Sequence, residues 1–227
     1  MQNTYRFISS FLFLIFVISG GAQEKKTDTD IPKYKFFNGI TIHADVSSLV
    51  SYYISSGETF SSEGGLQFDL KHKFYPIVEV GFAGANKITS DDIEFKTSGV
   101  FGRVGIDLNL LKQKENSKPQ NNIFLGGIRI GFTNFSYDVS NVTISNDYWG
   151  TDEILNYNNQ SATKVWYEIV AGVKVEVIKN IYMGWTVRNK HLLNQDVVGD
   201  ISPWYIPGFG INSSSTWGFN YTIGYHF

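Results

Sequence analysis

Hydrophobic and polar residues alternate one by one along most of this chain, and the C-terminal segment shows the pattern most plainly. From Trp217 to Phe227, residues Trp217, Phe219, Tyr221, Ile223, Tyr225 and Phe227 share one parity, while Gly218, Asn220, Thr222, Gly224 and His226 share the other. A β-strand sends successive side chains to opposite faces, so this segment has one large apolar face and one small polar face. It is long enough to cross a bilayer as a tilted strand, which takes about 9–11 residues.

Seven earlier segments repeat the pattern, which predicts eight strands. The first covers about Phe37–Val46, the second Leu66–Phe74, the third Pro76–Gly84, the fourth Val100–Leu110 and the fifth Phe124–Thr133. The sixth covers Val165–Val177 and the seventh Ile181–Lys190. The connections differ in length. Short turns are expected around Lys73–Pro76 and at Ile178–Asn180, with a modest stretch at Lys112–Asn121. Longer loops are expected at about Ser47–Gly65, Ala85–Thr97, Asp138–Thr163 and Leu192–Ser215. Short periplasmic turns alternating with long extracellular loops characterise outer-membrane barrels. An even strand number places both termini in the periplasm.

A soluble eight-stranded barrel also alternates, but with its apolar face inward. Volume separates the two. The lumen of eight strands is just wide enough for side chains to fill, and the large apolar residues of these faces would overfill it. The other face is rich in Gly (positions 39, 81, 105, 127, 131, 172, 184, 218 and 224), interspersed with charged and small polar groups. The expected fold is therefore all-β: an eight-stranded antiparallel up-and-down transmembrane β-barrel, apolar side outward.

The N-terminus reads as a cleaved signal peptide over residues 1–22. Arg6 supplies the positive region, Phe11–Ile18 the apolar run and Ser19–Ala22 the small residues before the cleavage point. Residues 23–34 form a polar periplasmic lead-in and 35–227 the barrel. The absence of Cys removes lipoprotein anchoring, disulfides and thiolate metal sites. A mean hydropathy of −0.13 would exclude a helical membrane protein but suits a barrel, in which every second residue faces the lumen. The formal net charge of −2 argues against a nucleic-acid partner.

Parity places Asp45, Asp69, Glu79, Asp107, Glu168 and Glu176 in the lumen, together with Lys71, Arg103, Arg129, Lys174, Arg188 and Lys190. Acids and bases balance, as an internal salt-bridge plug requires, because buried charges must be paired. The same residues could instead line a narrow ion path. Of the four histidines (His43, His72, His191 and His226), His191 alone sits at the height where a lipid-modifying outer-membrane enzyme would work, and no Ser-plus-acid partner is fixed by spacing. No catalytic residue, cofactor or metal ligand is assigned. Asp138, Asp147, Asp152 and Glu153 in one loop, and Asp196 and Asp200 in another, have no basic residue within their loops. Without an ordered Ca²⁺-loop spacing they remain a weak signal for cation or partner binding. Pro203–Gly210 is apolar and contains two prolines; it either lies on the headgroup layer or folds over the barrel mouth.

The chain is similar to small OmpA/OmpX-type barrels. More narrowly, Tyr75-Pro-Ile-Val-Glu-Val-Gly81, Gly102-Arg-Val-Gly-Ile-Asp-Leu-Asn-Leu-Leu111, Gly126-Gly-Ile-Arg-Ile-Gly-Phe132, Gly184-Trp-Thr-Val-Arg188 and Ile206-Pro-Gly-Phe-Gly210 resemble a family of uncharacterised outer-membrane barrels of Gram-negative bacteria, a domain of unknown function. The resemblance implies a fold and a location but no activity. It makes Glu79, Arg103, Asp107, Arg129 and Arg188 motif positions as well as lumen positions. The expected function is non-enzymatic: envelope structure or surface interaction through long loops. A narrow pore or small-molecule conduit is the alternative, and a lipid A-modifying enzyme a second. Expected partners are outer-membrane lipids and lipopolysaccharide, an unidentified extracellular partner, and the barrel-assembly machinery acting on the strand that ends in Phe227.

Overall fold

The computed structural model describes residues 35–111, 122–144, 150, 153–194 and 201–227. The signal, the lead-in, Lys112–Asn121, Asp147, Asp152, Asp196 and Asp200 lie outside the described residues.

Eight strands close into an antiparallel barrel. They are β1 (Phe37–Asp45), β2 (Thr59–Leu70), β3 (Phe74–Ile88), β4 (Glu94–Asn109), β5 (Ile123–Ile144), β6 (Glu153–Ile178), β7 (Ile181–Leu192) and, closing the ring, β10 (Ser215–His226). Each pairs with its sequence neighbour in the ring, and β10 returns to β1 with register Thr41–His226 to Asp45–Thr222. A helix, α1 (Ser47–Ile54), follows β1. A two-stranded hairpin of β8 (Tyr205–Ile206) and β9 (Gly210–Ile211) precedes β10. The "terminal end" below is where β1 begins and β10 finishes; the opposite one is the "loop end".

The alternation produces the burial directly. Val80, Val100, Ile128, Ile130, Phe132, Ile169, Val187 and Phe219 point outward and are exposed, whereas Glu79, Arg103, Arg129, Glu168 and Arg188 on the other parity are buried. No described helix is long and apolar enough to cross a membrane.

Several expected boundaries differ. The β2–β3 turn lies at Lys71–Lys73, and Phe74–Pro76 already belong to β3. Lys71 and His72 both have positive φ (55° and 51°), and Lys73 N donates to Leu70 O at 3.1 Å. This is a type I′ turn, whose twist matches a hairpin even without the usual Asn-Gly signal. Asp69 holds it by accepting from His72 N at 2.8 Å and lying 2.6 Å from His72 Nδ1. The stretch Ala85–Thr97 is largely strand, with β3 and β4 paired up to Ile88–Glu94. In the same way β5 and β6 run far into the expected loop Asp138–Thr163, past register shifts at Val139. The expected loop Ser47–Gly65 contains α1 and the first half of β2. These extensions carry inward-facing Ala85, Phe95, Tyr137, Val139 and Ala162, which share one buried cluster; interspersed Asn, Ser and Thr hide the alternation.

The loop-end lumen contradicts the expectation of a small, polar interior. Phe101, Phe135 and Trp166 point inward and are almost fully buried. Room comes from glycine on the facing strand: Gly81 opposes Phe101, Gly99 opposes Phe135 and Gly131 opposes Trp166. A Cβ at any of these glycines would collide with its aromatic partner. The inward glycines thus make space for rings as well as for long charged side chains.

Placing Arg at Ile169, midway along the outer face of β6, is expected to destabilise a vesicle-refolded barrel by about 2–4 kcal/mol. A urea titration of Ile169→Arg beside wild type reads this directly. An unchanged midpoint would mean that the face is not lipid-exposed.

Candidate functional site: a charged lumen closed by a hairpin

The register around the barrel brings charges from six strands to one level. Glu79 on β3 stands opposite Arg103 on β4, Arg129 on β5 opposite Glu168 on β6, and Glu168 opposite Lys190 on β7. Arg188 enters from β7 and Glu63 from β2. Glu79 is the hub. Its carboxylate accepts from Arg129 Nη1 at 3.0 and 3.1 Å and from Arg188 at 3.1 and 3.2 Å. Arg103 Nη1 lies 3.7 Å away and His43 Nε2 3.6 Å. Arg103 bridges Glu63 at 2.7 Å and Glu168 at 2.8 Å. Arg129 also reaches Asp107 at 3.1 Å, and Trp166 Nε1 donates to Glu168 at 2.7 Å. Four bases (Arg103, Arg129, Arg188, Lys190) therefore face four acids (Glu63, Glu79, Asp107, Glu168).

Amides and hydroxyls extend this girdle both ways. Toward the terminal end, Gln67 donates to Asp107 at 3.0 Å and accepts from Lys174 at 2.8 Å, and Lys174 donates to Thr41 at 2.9 Å. Toward the loop end, Asn220 joins Glu63 at 3.1 Å to Asp45 at 2.5 Å. Asp45 also accepts from Ser47 N at 2.9 Å, so its anion sits at the start of α1, where helix polarity favours it.

Of the twelve expected lumen charges, Glu79, Arg103, Asp107, Arg129, Glu168 and Arg188 meet in direct ion pairs. Asp45 and Lys174 join through Asn220 and Gln67. Asp69 pairs with His72 at the terminal end, and Glu176 caps the β6–β7 turn by accepting from Asn180 N at 2.8 Å. Lys71 is a correction: it lies exposed in the I′ turn, 5.8 Å from the Phe36 ring, and not in the lumen. Glu63 was missed because the Gly64-Gly65 pair hides the start of β2. Extending the parity of Gln67 and Asp69 backward would have found it.

Lys190 performs a different task. Its Nζ donates to Gly208 O at 2.8 Å and Phe209 O at 3.1 Å, while Arg103 Nη2 donates to Gly208 O at 2.9 Å. These carbonyls belong to the β8–β9 hairpin, which folds into the barrel mouth. Ile206, Pro207 and Phe209 are almost wholly buried, packed with Trp166 and Phe101. The tip Ile206-Pro-Gly-Phe209 is a type II turn: Pro207 follows the first residue, Gly208 has φ +80°, and Phe209 N donates to Ile206 O at 3.1 Å. A Cβ on Gly208 would be strained at that φ and would strike Phe101. Burial pushes the phenol of Tyr205 up to about 12. Below the girdle lie cavities of about 40 Å³, beside Glu79 and Lys174, and about 110 Å³, beside Asp69 and His226.

His191 lies at the loop end of β7, stacked on Tyr167 with centroids 4.9 Å apart and its Nε2 on Asn189 Oδ1. Ser215 stands opposite it in the ladder, but no hydrogen bond joins the two among the described residues. Asp138, expected to be uncompensated, faces Lys96 across β4–β5 and accepts from Asn159 N at 2.6 Å. Among the described residues no group of three or more His, Asp or Glu could hold a metal ion.

Fold and lumen together define a closed eight-stranded barrel, filled by an ion-pair girdle and capped by a hairpin from its last long connection. The chain belongs to the family described as Domain of unknown function (DUF6048), whose model matches residues 4–227. No curated protein matches the sequence. Among solved structures, it is similar to Ail, the attachment invasion locus protein of Yersinia pestis, determined in complex with the heparin analogue sucrose octasulfate. That match has 10% identity, covers 83% of this chain and 97% of the other, and has a TM-score of 0.41. Neisserial surface protein A (NspA) matches at 14% identity, over 83% of this chain and 94% of the other, with a TM-score of 0.36.

Truncating Arg129 or Glu79 to Ala removes one member of the balanced girdle and leaves a net charge buried among the remaining pairs, at an expected loss of about 3–5 kcal/mol. Lys71→Ala, on the exposed turn, is expected within about 0.5 kcal/mol of wild type. Urea unfolding of the three variants in vesicles tests the ranking. Gly208→Ala should cost about 1–3 kcal/mol through backbone strain, and the loss should be measurable in the same assay.

Proposed function

We propose that this protein is a non-conducting, non-enzymatic outer-membrane barrel that serves envelope structure or surface interaction, with both termini in the periplasm. The observation that carries the reading is double closure of the lumen. The girdle fills the barrel at mid-height, and the β8–β9 hairpin covers it, its carbonyls bonded to Arg103 and Lys190. An ion crossing would have to break buried ion pairs, at several kcal/mol for each charge left alone. The outward apolar face supports the membrane placement, because that much exposed Val, Ile, Phe and Trp surface is unfavourable in water. His191 supports the non-enzymatic reading, since its contacts are an amide and an aromatic ring rather than a nucleophile and an acid. The loops and extended β5–β6 hairpin at the loop end are the parts available to a partner outside the cell.

In planar bilayers wild type is expected to be silent. Removing residues 203–210 together with Glu79→Ala, Arg129→Ala and Arg188→Ala should open a measurable water-filled path, whereas removing the hairpin alone should not. A wild type that conducts selectively, and loses selectivity but not stability in Arg129→Ala, would overturn the plug in favour of a pore.

A further inference from the structure

The two rims of the barrel carry opposite charge. At the loop end Lys87 and Lys96 are ion-paired, with Glu58 at 3.3 Å and Glu94 at 3.1 Å, while Asp91, Asp92 and Glu153 stand exposed. At the terminal end Lys35, Lys71, Lys73 and Lys179 are all exposed, and among the described residues none of them pairs with a carboxylate. The acids of this end are turned elsewhere. Asp69 is buried on His72, and Glu176 caps the β6–β7 turn. No exposed Asp or Glu side chain is described at this rim.

Backbone bonds join the four lysines into one arc. Lys71 N donates to Phe36 O at 3.0 Å, which seats the β2–β3 turn on the start of β1. Phe227 N donates to Ile40 O at 2.9 Å and His226 N to Asn180 O at 2.8 Å. The end of β10 therefore lies between β1 and the β6–β7 turn, and the arc crosses β7, β10, β1, β2 and β3 without a break.

Two of the lysines are held over the outer side of the wall. Lys73 Nζ lies 5.4 Å from the ring centroid of Phe74, which points outward beside buried Tyr75. Lys71 Nζ lies 5.8 Å from that of exposed Phe36, and both distances suit a cation–π contact. Phe37, Tyr225 and Phe227 are exposed on the same arc. Beside it, Ile42, Ala44, Ile181 and Ile223 join Tyr225 and Phe227 in lining an apolar groove of about 450 Å³ at the β1–β10 ladder.

We propose that this arc docks the terminal end on the anionic headgroups of a phospholipid leaflet, the phosphates meeting the lysines and an acyl chain the groove. The proposal rests on the membrane placement given above. A row of unpaired cations bordering an apolar wall matches an amphiphile that carries its charge at one end of its chains. Clustered lysines beside a spanning segment attract anionic lipid through a field that salt screens. A soluble acidic partner would meet the lysines and leave Phe36, Phe74 and the groove in water. With both termini in the periplasm, the arc faces the inner leaflet and the acidic rim faces outward.

The test refolds the full chain into vesicles of phosphatidylethanolamine with a minor share of phosphatidylglycerol. Flotation checks insertion and the unheated gel shift checks folding. The protein is then released into mild detergent, and mass spectrometry of the lipid still bound gives its phosphatidylglycerol content relative to the vesicles. Wild type is expected to enrich phosphatidylglycerol about fivefold, the factor that one lysine near an anionic surface supplies. Release in about 1 M salt, where the screening length is about 3 Å, should abolish the enrichment. Lys71→Gln, Lys73→Gln and Lys179→Gln together should do the same, whereas Lys87→Gln with Lys96→Gln should change nothing. If the triple variant misfolds, the salt arm on wild type decides. No enrichment on folded wild type, enrichment that survives salt or the triple variant, or its loss in the loop-end pair overturns the proposal and leaves the membrane placement intact. Failure to float with vesicles overturns the membrane placement and the proposal with it.

Discussion

Glu79 organises the interior. One carboxylate collects Arg129 and Arg188 at hydrogen-bond distance and has Arg103 close by, so three cations from three strands share one acid. Losing any one of them upsets the balance of four acids and four bases, and the shared pairing ties together the heights of β3, β4, β5 and β7. Strand register is weakly specified by alternation alone, since a slip of two residues keeps every side chain on its face. The ion pairs remove that freedom. They specify which of several acceptable barrels forms, a use of buried charge consistent with its small net contribution to stability.

The second determinant is the exchange of volume between glycine and aromatic rings at the loop end. Three cross-strand Gly–aromatic pairs let Phe101, Phe135 and Trp166 turn inward. The hairpin tip then lays Phe209 against Trp166 and places its carbonyls on Arg103 and Lys190. The polar girdle and the apolar cluster are therefore joined: Arg103 lies 4.6 Å from the Phe101 ring while bonded to Gly208. Displacing the hairpin exposes apolar surface and also leaves two cations short of acceptors.

Much of this was legible in the residues. Period-two alternation located all eight wall strands, and parity placed most lumen charges on the correct face. What the sequence hid has physical causes. The β2–β3 turn carries Lys and His at positive φ, so Lys71 read as strand. Gly64-Gly65 interrupted β2 just short of Glu63. The inward aromatics could not be distinguished from outward ones by size, because their room is supplied by glycines on a different strand. The two options for Pro203–Gly210 were separable only by the partners of the Gly208 and Phe209 carbonyls, which lie on β4 and β7.

The shortness of β1 has a mechanical consequence. The ladder that closes the ring is the shortest of the eight: β1 meets β10 only from Thr41–His226 to Asp45–Thr222. Under tension, or while a ring is being completed, a zipper yields and shuts where it has the fewest teeth. That place also joins the two ends of the barrel in sequence, and α1 begins directly beyond it.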